Sequence, residues 1–297
     1  TIAELEEKLQ RLGNEIGSDR IAEARAAMAK GDFDVADEIF AEVSQRNQLA
    51  VEETARAAFG RGEIAEEQIR WADAADHYQD AARLDPTFEA LYKACDLLIR
   101  SGQYPKAERS GADLVDLARS EADQENLSKA LDRHGTAMQG VGGFSKAEDL
   151  FTQALEIDRA TIGEGHPSYA IRLNNLALVV QAQGRYEEAE ALYTQALEID
   201  RATLGEGHPK SDHRLTKIAA VLVWLSDGGS SVLGHPIYAI RLNNLAGVVE
   251  AQGRYAEAEG LYRQAIEILE TTLGSDHPNT VQGKANLEAL LAKTDGD

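Results

Sequence analysis

Four histidines in a fixed dipeptide, His166-Pro167, His208-Pro209, His235-Pro236 and His277-Pro278, are the first residues of this 297-residue sequence whose type and spacing suggest chemistry. Imidazole binds transition metals, but the ligands of one ion usually include closely spaced pairs, and these histidines follow one another at 42, 27 and 42 residues. A proline at the first helical position explains the dipeptide better than a metal does. Gly140, Gly142 and Gly143 imitate a phosphate cradle, yet no strand pattern precedes them and no lysine follows at P-loop spacing. No HExxH, CxxC or nucleophile-elbow pattern occurs, so no catalytic residue, cofactor or metal site is expected. The side chains that stand out are amides. Asn174-Asn175 and Asn243-Asn244 sit in the middle of helical patterns, where Asn is roughly half a kcal/mol poorer than Ala, and a local rule broken twice points to a task.

The elements that carry these residues are repeats. YAIRLNNLALVVQAQGRYEEAEALYTQALEI from Tyr169 is nearly copied by YAIRLNNLAGVVEAQGRYAEAEGLYRQAIEI from Tyr238. A weaker signature, glycine followed two residues later by an aromatic, recurs at Gly31/Phe33, Gly102/Tyr104, Gly142/Phe144, Gly184/Tyr186 and Gly253/Tyr255, with Trp71 as a sixth aromatic lacking the glycine. Three residues after each aromatic comes alanine, and seven after it usually comes another ring, except at Gly111. Spacings of three and seven lie on one stripe of a helix. Upstream of each turn a second pattern, such as Leu173, Leu176, Ala177 and Val180, marks another helix. Each unit is therefore a helix, a tight turn and a helix. Neither helix can bury its stripe alone, so the units must stack. All six prolines fall between units or at helix starts.

This pattern resembles the tetratricopeptide repeat over residues 19–293. The 42-residue form with LNNLA, QGRYEEAE, LYTQALEI and LGEGHP resembles the kinesin-light-chain type, which is common in bacterial proteins. The resemblance implies an all-α, right-handed α-solenoid. It would comprise an N-terminal helix and turn (1–18), irregular units (19–143), and 42-residue units (144–297) that include a truncated unit (208–234) and a C-terminal capping helix. In this family the first helices line a concave surface whose sixth repeat position commonly faces a bound peptide. Here that row reads Ala22, Gly60, Lys93, Arg133, Asn175, Lys217, Asn244 and Asn286. The resemblance implies a peptide groove in which Asn174, Asn175, Asn243, Asn244 and Asn286 hydrogen-bond a peptide backbone, while Lys93, Arg133 and Lys217 meet acidic side chains or a carboxylate. The alternative is that the asparagines bridge neighbouring helices and the cations are ordinary solvated residues. Glu63, Asp96 and Glu250 fall near the same face and weigh against a strongly acidic ligand.

Composition narrows the partner. Lys and Arg number 30 against 51 Asp and Glu, a net charge of −21, which repels phosphate backbones and anionic lipid: no nucleic acid and no membrane are expected. The longest apolar run, residues 218–225, is about half the roughly 18 residues of a membrane span. Hydrophobic residues make up 43 %, enough to fold. One cysteine, Cys95, fits a reducing compartment, so a cytoplasmic location is expected. The opening TIAELEEKLQ lacks both an initiator methionine and a signal segment, which suggests an upstream part. Within the truncated unit, Val223, Trp224 and Leu225 offer an apolar contact for a partner or for a homo-oligomer, unless the solenoid closes over them internally. The expected function is a non-catalytic scaffold binding a peptide or partner protein. The alternative is a sensor or regulatory arm of a larger signalling or defence protein whose catalytic domain lies outside this chain.

Overall fold

The computed structural model describes residues 32–204 and 234–294, with Arg20, Glu23, Ala24, Ala26 and Ala27 before them. All regular structure among the described residues is helical: α1 (Phe33–Glu67), α2 (Trp71–Leu84), α3 (Phe88–Arg100), α4 (Tyr104–Ser120), α5 (Gln124–Gly140), α6 (Phe144–Thr161), α7 (Pro167–Ala182), α8 (Tyr186–Leu204), α9 (Gly234–Ala251), α10 (Tyr255–Thr272) and α11 (Pro278–Thr294). They belong to two compact units, Thr1–Gln103 and Tyr104–Asp297. That division follows packing; the change of repeat type expected after residue 143 falls within the second unit. No described helix is long and apolar enough to cross a membrane, and no group of three metal-ligating side chains forms among the described residues.

Helices begin and end where the sequence places its punctuation. Gly102, Gly142, Gly184 and Gly253 take φ between 73 and 81°, the left-handed turn conformation that glycine adopts without steric cost. Ile69 occupies the same turn position with φ 60°, a conformation that costs a side-chain-bearing residue roughly 1–2 kcal/mol. His166 and His277 do act at helix starts: each Nδ1 accepts a backbone N–H two residues on, from Ser168 at 3.1 Å and Asn279 at 3.2 Å. One expected turn is absent. The second helix of the first irregular unit and the first helix of the next run together as α1, because residues 41–59 contain no glycine or proline to stop them.

In the first unit α2 packs on α1 and α3 on α2. In the second unit each helix packs on the next in chain order from α4 to α11, and α9 packs directly on α8 although residues 205–233 separate them in sequence. The unit's core alternates small and large side chains. Ala147, Ala189 and Ala258 are fully buried, as are Phe151 and Tyr193, and Tyr262 is nearly so. Where a ring is missing, at Gly111, the helices close up: a Cβ there would lie 2.9 Å from the His134 Cα. Each buried Leu, Phe or Tyr removes enough apolar surface to contribute about 1.5–3 kcal/mol.

Candidate binding face of the first helices

In α7 the stripe at Leu173, Leu176, Ala177 and Val180 is buried. The opposite stripe, Ile171, Asn174, Asn175, Leu178 and Gln181, is half-buried or exposed, three and four residues apart. In α9 the same stripe is Ile240, Asn243, Asn244, Gly247 and Glu250; in α5 it holds Asp132, Arg133, Thr136 and Gln139; in α11 it holds Gln282, Ala285, Asn286 and Ala289. The spacing of the amides therefore does put them on one face of adjacent first helices.

On that face they are joined to one another. Asn175 Nδ2 donates to Asp132 Oδ1 at 2.9 Å, Asn244 Nδ2 to Asn174 Oδ1 at 3.3 Å, and Asn286 Nδ2 to Asn243 Oδ1 at 3.1 Å. Asn174 Nδ2 approaches Asn175 Oδ1 at 3.4 Å. The fifth and sixth repeat positions form a ladder in which each sixth-position amide donates to the fifth-position acceptor of the preceding first helix. A carboxamide carries two N–H groups, and each rung uses one. The residues that carry the amides are half-buried.

The cations are engaged as well. Lys93, in the first unit, pairs with Glu66 at 2.8 Å and lies 5.7 Å from the Tyr78 ring centroid. Arg133 pairs with Asp132 at 2.6 Å. Lys217 and the apolar trio Val223, Trp224 and Leu225 lie outside the described residues. Tyrosine hydroxyls tether the far end of the stripe: Tyr193 donates to Gln181 Oε1 at 3.2 Å and Tyr262 to Glu250 Oε2 at 3.0 Å. Burial pushes both phenols up, so they remain donors.

Beneath the ladder lies a feature that sequence reasoning missed. Arg172 is buried, its Nε 2.6 Å from Asp158 Oδ2 and 2.9 Å from Ser128 Oγ, and its Nη1 3.8 Å from Asp132 Oδ1. Ser128 Oγ donates to the Asp158 carboxylate. One repeat on, buried Arg241 pairs with Asp200, but Ala170 stands where Ser128 stood, and Arg241 Nε finds no acceptor among the described residues. Burial pushes the Asp200 carboxyl up, an effect that Arg241 opposes. At the last junction the Asp position is Leu269 and the Arg position Gly283, both buried, with Leu269 Cδ1 3.9 Å from where a Gly283 Cβ would lie. The joint change of both positions was the signal available in the sequence.

The QGRY turn also has a job across repeats. Arg185 Nη1 and Gln183 Nε2 grip Glu148 at 2.7 and 2.8 Å, and Arg254 Nη1 and Gln252 Nε2 grip Glu190 at 2.8 and 2.9 Å. The guanidinium hydrogen bonds hold both carboxyls below the ordinary Glu value.

Comparison with known proteins agrees with this architecture. Tetratricopeptide repeat models match residues 21–89, 131–202, 168–223 and 239–279. Among solved structures, nearly identical TPR-like repeats from Podosopora anserina, of the kinesin light chain kind, are 21 % identical over 70 % of this chain and 87 % of that one, with a TM-score of 0.50. A singly substituted form of the same repeats is 20 % identical over 70 % and 86 %, with a TM-score of 0.51. At these identities the likeness is one of fold. No curated protein matches the sequence. Stacked helical hairpins and repeat models that match more than half of the residues lead to one conclusion: the chain belongs to the tetratricopeptide repeat family and is an all-α solenoid that serves as a protein-interaction scaffold.

Proposed function

We propose that this chain is a non-catalytic, cytoplasmic scaffold that holds an extended segment of a peptide or partner protein against the first helices of its second unit. The observation that carries this is the amide ladder. Asn174, Asn175, Asn243, Asn244 and Asn286 lie along one half-buried line, each with hydrogen-bonding capacity beyond its rung. An extended strand offers N–H and C=O groups at regular spacing and can use such a line whatever its side chains. The ladder's internal bonds support this role by fixing each amide's rotamer before the ligand arrives, which lowers the ordering cost of binding. Arg133, held by Asp132, takes part as a paired group rather than as a free charge.

A peptide-array screen followed by calorimetry on each hit tests the proposal. With Asn175 and Asn244 both changed to Ala, affinity should fall at least tenfold. Unchanged affinity for every hit would remove the ladder from the binding site.

A further inference from the structure

We infer that the ligand of this face is an extended segment with uncharged side chains, aliphatic or amide, rather than an acidic peptide; this rests on the binding role just proposed. The two central stripes carry the argument. On α7, Ile171, Asn174, Asn175, Leu178 and Gln181 include no charge, and on α9 only Glu250, at the end of Ile240, Asn243, Asn244, Gly247 and Glu250, is charged. In a chain that is 27 % charged, ten surface-facing positions would ordinarily include about three ionised residues, against the one found. Depletion of charge at the centre of a patch is the compositional mark of an interface.

The charges that border these stripes are neutralised from within. Arg133 on α5 is paired with Asp132 at 2.6 Å, and Glu250 at the end of the α9 stripe accepts from Lys293 at 2.6 Å and from Tyr262 at 3.0 Å. An acidic ligand would have to share the Arg133 guanidinium with Asp132. On a protein of net charge −21 it would also approach against long-range repulsion. An uncharged strand meets neither obstacle. Its backbone would lie along the amides, and its side chains would alternate between the aliphatic row of Ile171 and Ile240 and the step from Leu178 to Gly247. At that step a Cβ on Gly247 would meet only Tyr262 Oη at 3.5 Å and Gln181 Nε2 at 3.8 Å, so the surface dips by a leucine side chain.

Two pools of synthetic dodecapeptides test this on the full chain, one composed only of Asn, Gln, Ser, Thr, Ala, Val, Leu, Ile and Tyr, the other with Asp or Glu at every second residue. The expected result is retention of the neutral pool alone, with affinities by calorimetry changing less than about twofold between roughly 50 and 500 mM NaCl. Ile171→Glu should weaken those binders at least tenfold while Ile171→Gln, of similar size, leaves them within threefold, with matching circular dichroism for both. Retention of the acidic pool, lost in high salt and in Arg133→Gln, would overturn the inference and leave the binding face in place. Neutral binders indifferent to both Ile171 variants would overturn it too. Failure of both pools, or binders indifferent to Asn175→Ala with Asn244→Ala, would remove the binding face itself. A dimer by light scattering that Ile171→Glu dissociates would make a second copy the occupant and overturn the inference.

Discussion

The junction of α6 with α7 and that of α8 with α9 are built from the same contacts, yet residues 162–166 connect the first pair and 205–233 connect the second. In each a buried Asp meets a buried Arg, Asp158 with Arg172 and Asp200 with Arg241. Each is clamped by a Gln and an Arg of the next turn on a Glu of the preceding second helix, and each is crossed by a rung of the amide ladder. Register between stacked repeats is thus set by side-chain chemistry across the junction and not by the length of the connection. Polymer physics permits this, since each doubling of a flexible loop costs only about 0.6 kcal/mol in closure entropy. Two details differ. Ser128 completes the first ion pair, and Ala170 leaves the second with an Nε that has no acceptor among the described residues. The ladder acceptor at the first is Asp132, 3.8 Å from Arg172 Nη1, whereas at the second it is the neutral Asn174.

The largest expected effect comes from breaking one side of the pair. Arg241→Leu strands the Asp200 carboxylate in the core and should lower stability by about 3–5 kcal/mol in urea unfolding. Combined with Asp200→Leu, which imitates Leu269 at the last junction, most of that loss should return; a double variant no better than the single would mean the pair is not what aligns α8 with α9. Next comes acid. Because Arg185 and Arg254 hold Glu148 and Glu190 below their ordinary value of about 4.5, the stability they lend is present above that pH and is lost as pH falls through the folded-state values. Stability measured from about pH 6 downwards should fall less steeply in Glu148→Gln with Glu190→Gln, by equal shares from the two junctions. Ala170→Ser, giving Arg241 the hydroxyl that Arg172 has, should add about 1 kcal/mol or less; a loss would show that the two junctions differ in packing as well as in this bond. The last change is the boldest. Deleting residues 208–234 joins Gly205-Glu206-Gly207 to His235-Pro236, the same run as Gly163-Glu164-Gly165-His166-Pro167. Helical circular dichroism should be retained and stability should stay within about 2 kcal/mol of the parent's, the change expected from shortening a connection alone. Loss of cooperative melting would mean that those residues hold α8 and α9 in place.

Much of this was legible in the sequence because it is local. The glycine turns, the His-Pro helix starts and the buried alanine and aromatic stripes follow from residues within about one helix of each other, where backbone sterics and 3.6-residue periodicity decide. The line of asparagines was legible too, since positions five and six of successive first helices must share a face. That the asparagines bond one another was open, because donor and acceptor lie 43 or 70 residues apart. The engagement of Lys93 and Arg133 was hidden for the same reason: Glu66 lies 27 residues from Lys93, and Asp132, though adjacent to Arg133, is held by α7. The continuous α1 shows the converse error. There a repeat period suggested a turn that no local residue enforces.

The sequence alone determined that this chain is a stack of helical hairpins with an amide line along its first helices, because hydrophobic period, turn glycines and helix-start prolines act over a few residues. The tertiary structure alone decided which hairpins are neighbours and what the line is bonded to. A Glu190 carboxylate gripped from 64 residues away, a buried Arg241 facing Asp200, and cations quenched by Glu66 and Asp132 exist only once helices have stacked. A net charge of −21 therefore coexists with a face whose two central stripes carry no charge except Glu250, itself paired with Lys293, because charge is summed along the chain but presented helix by helix.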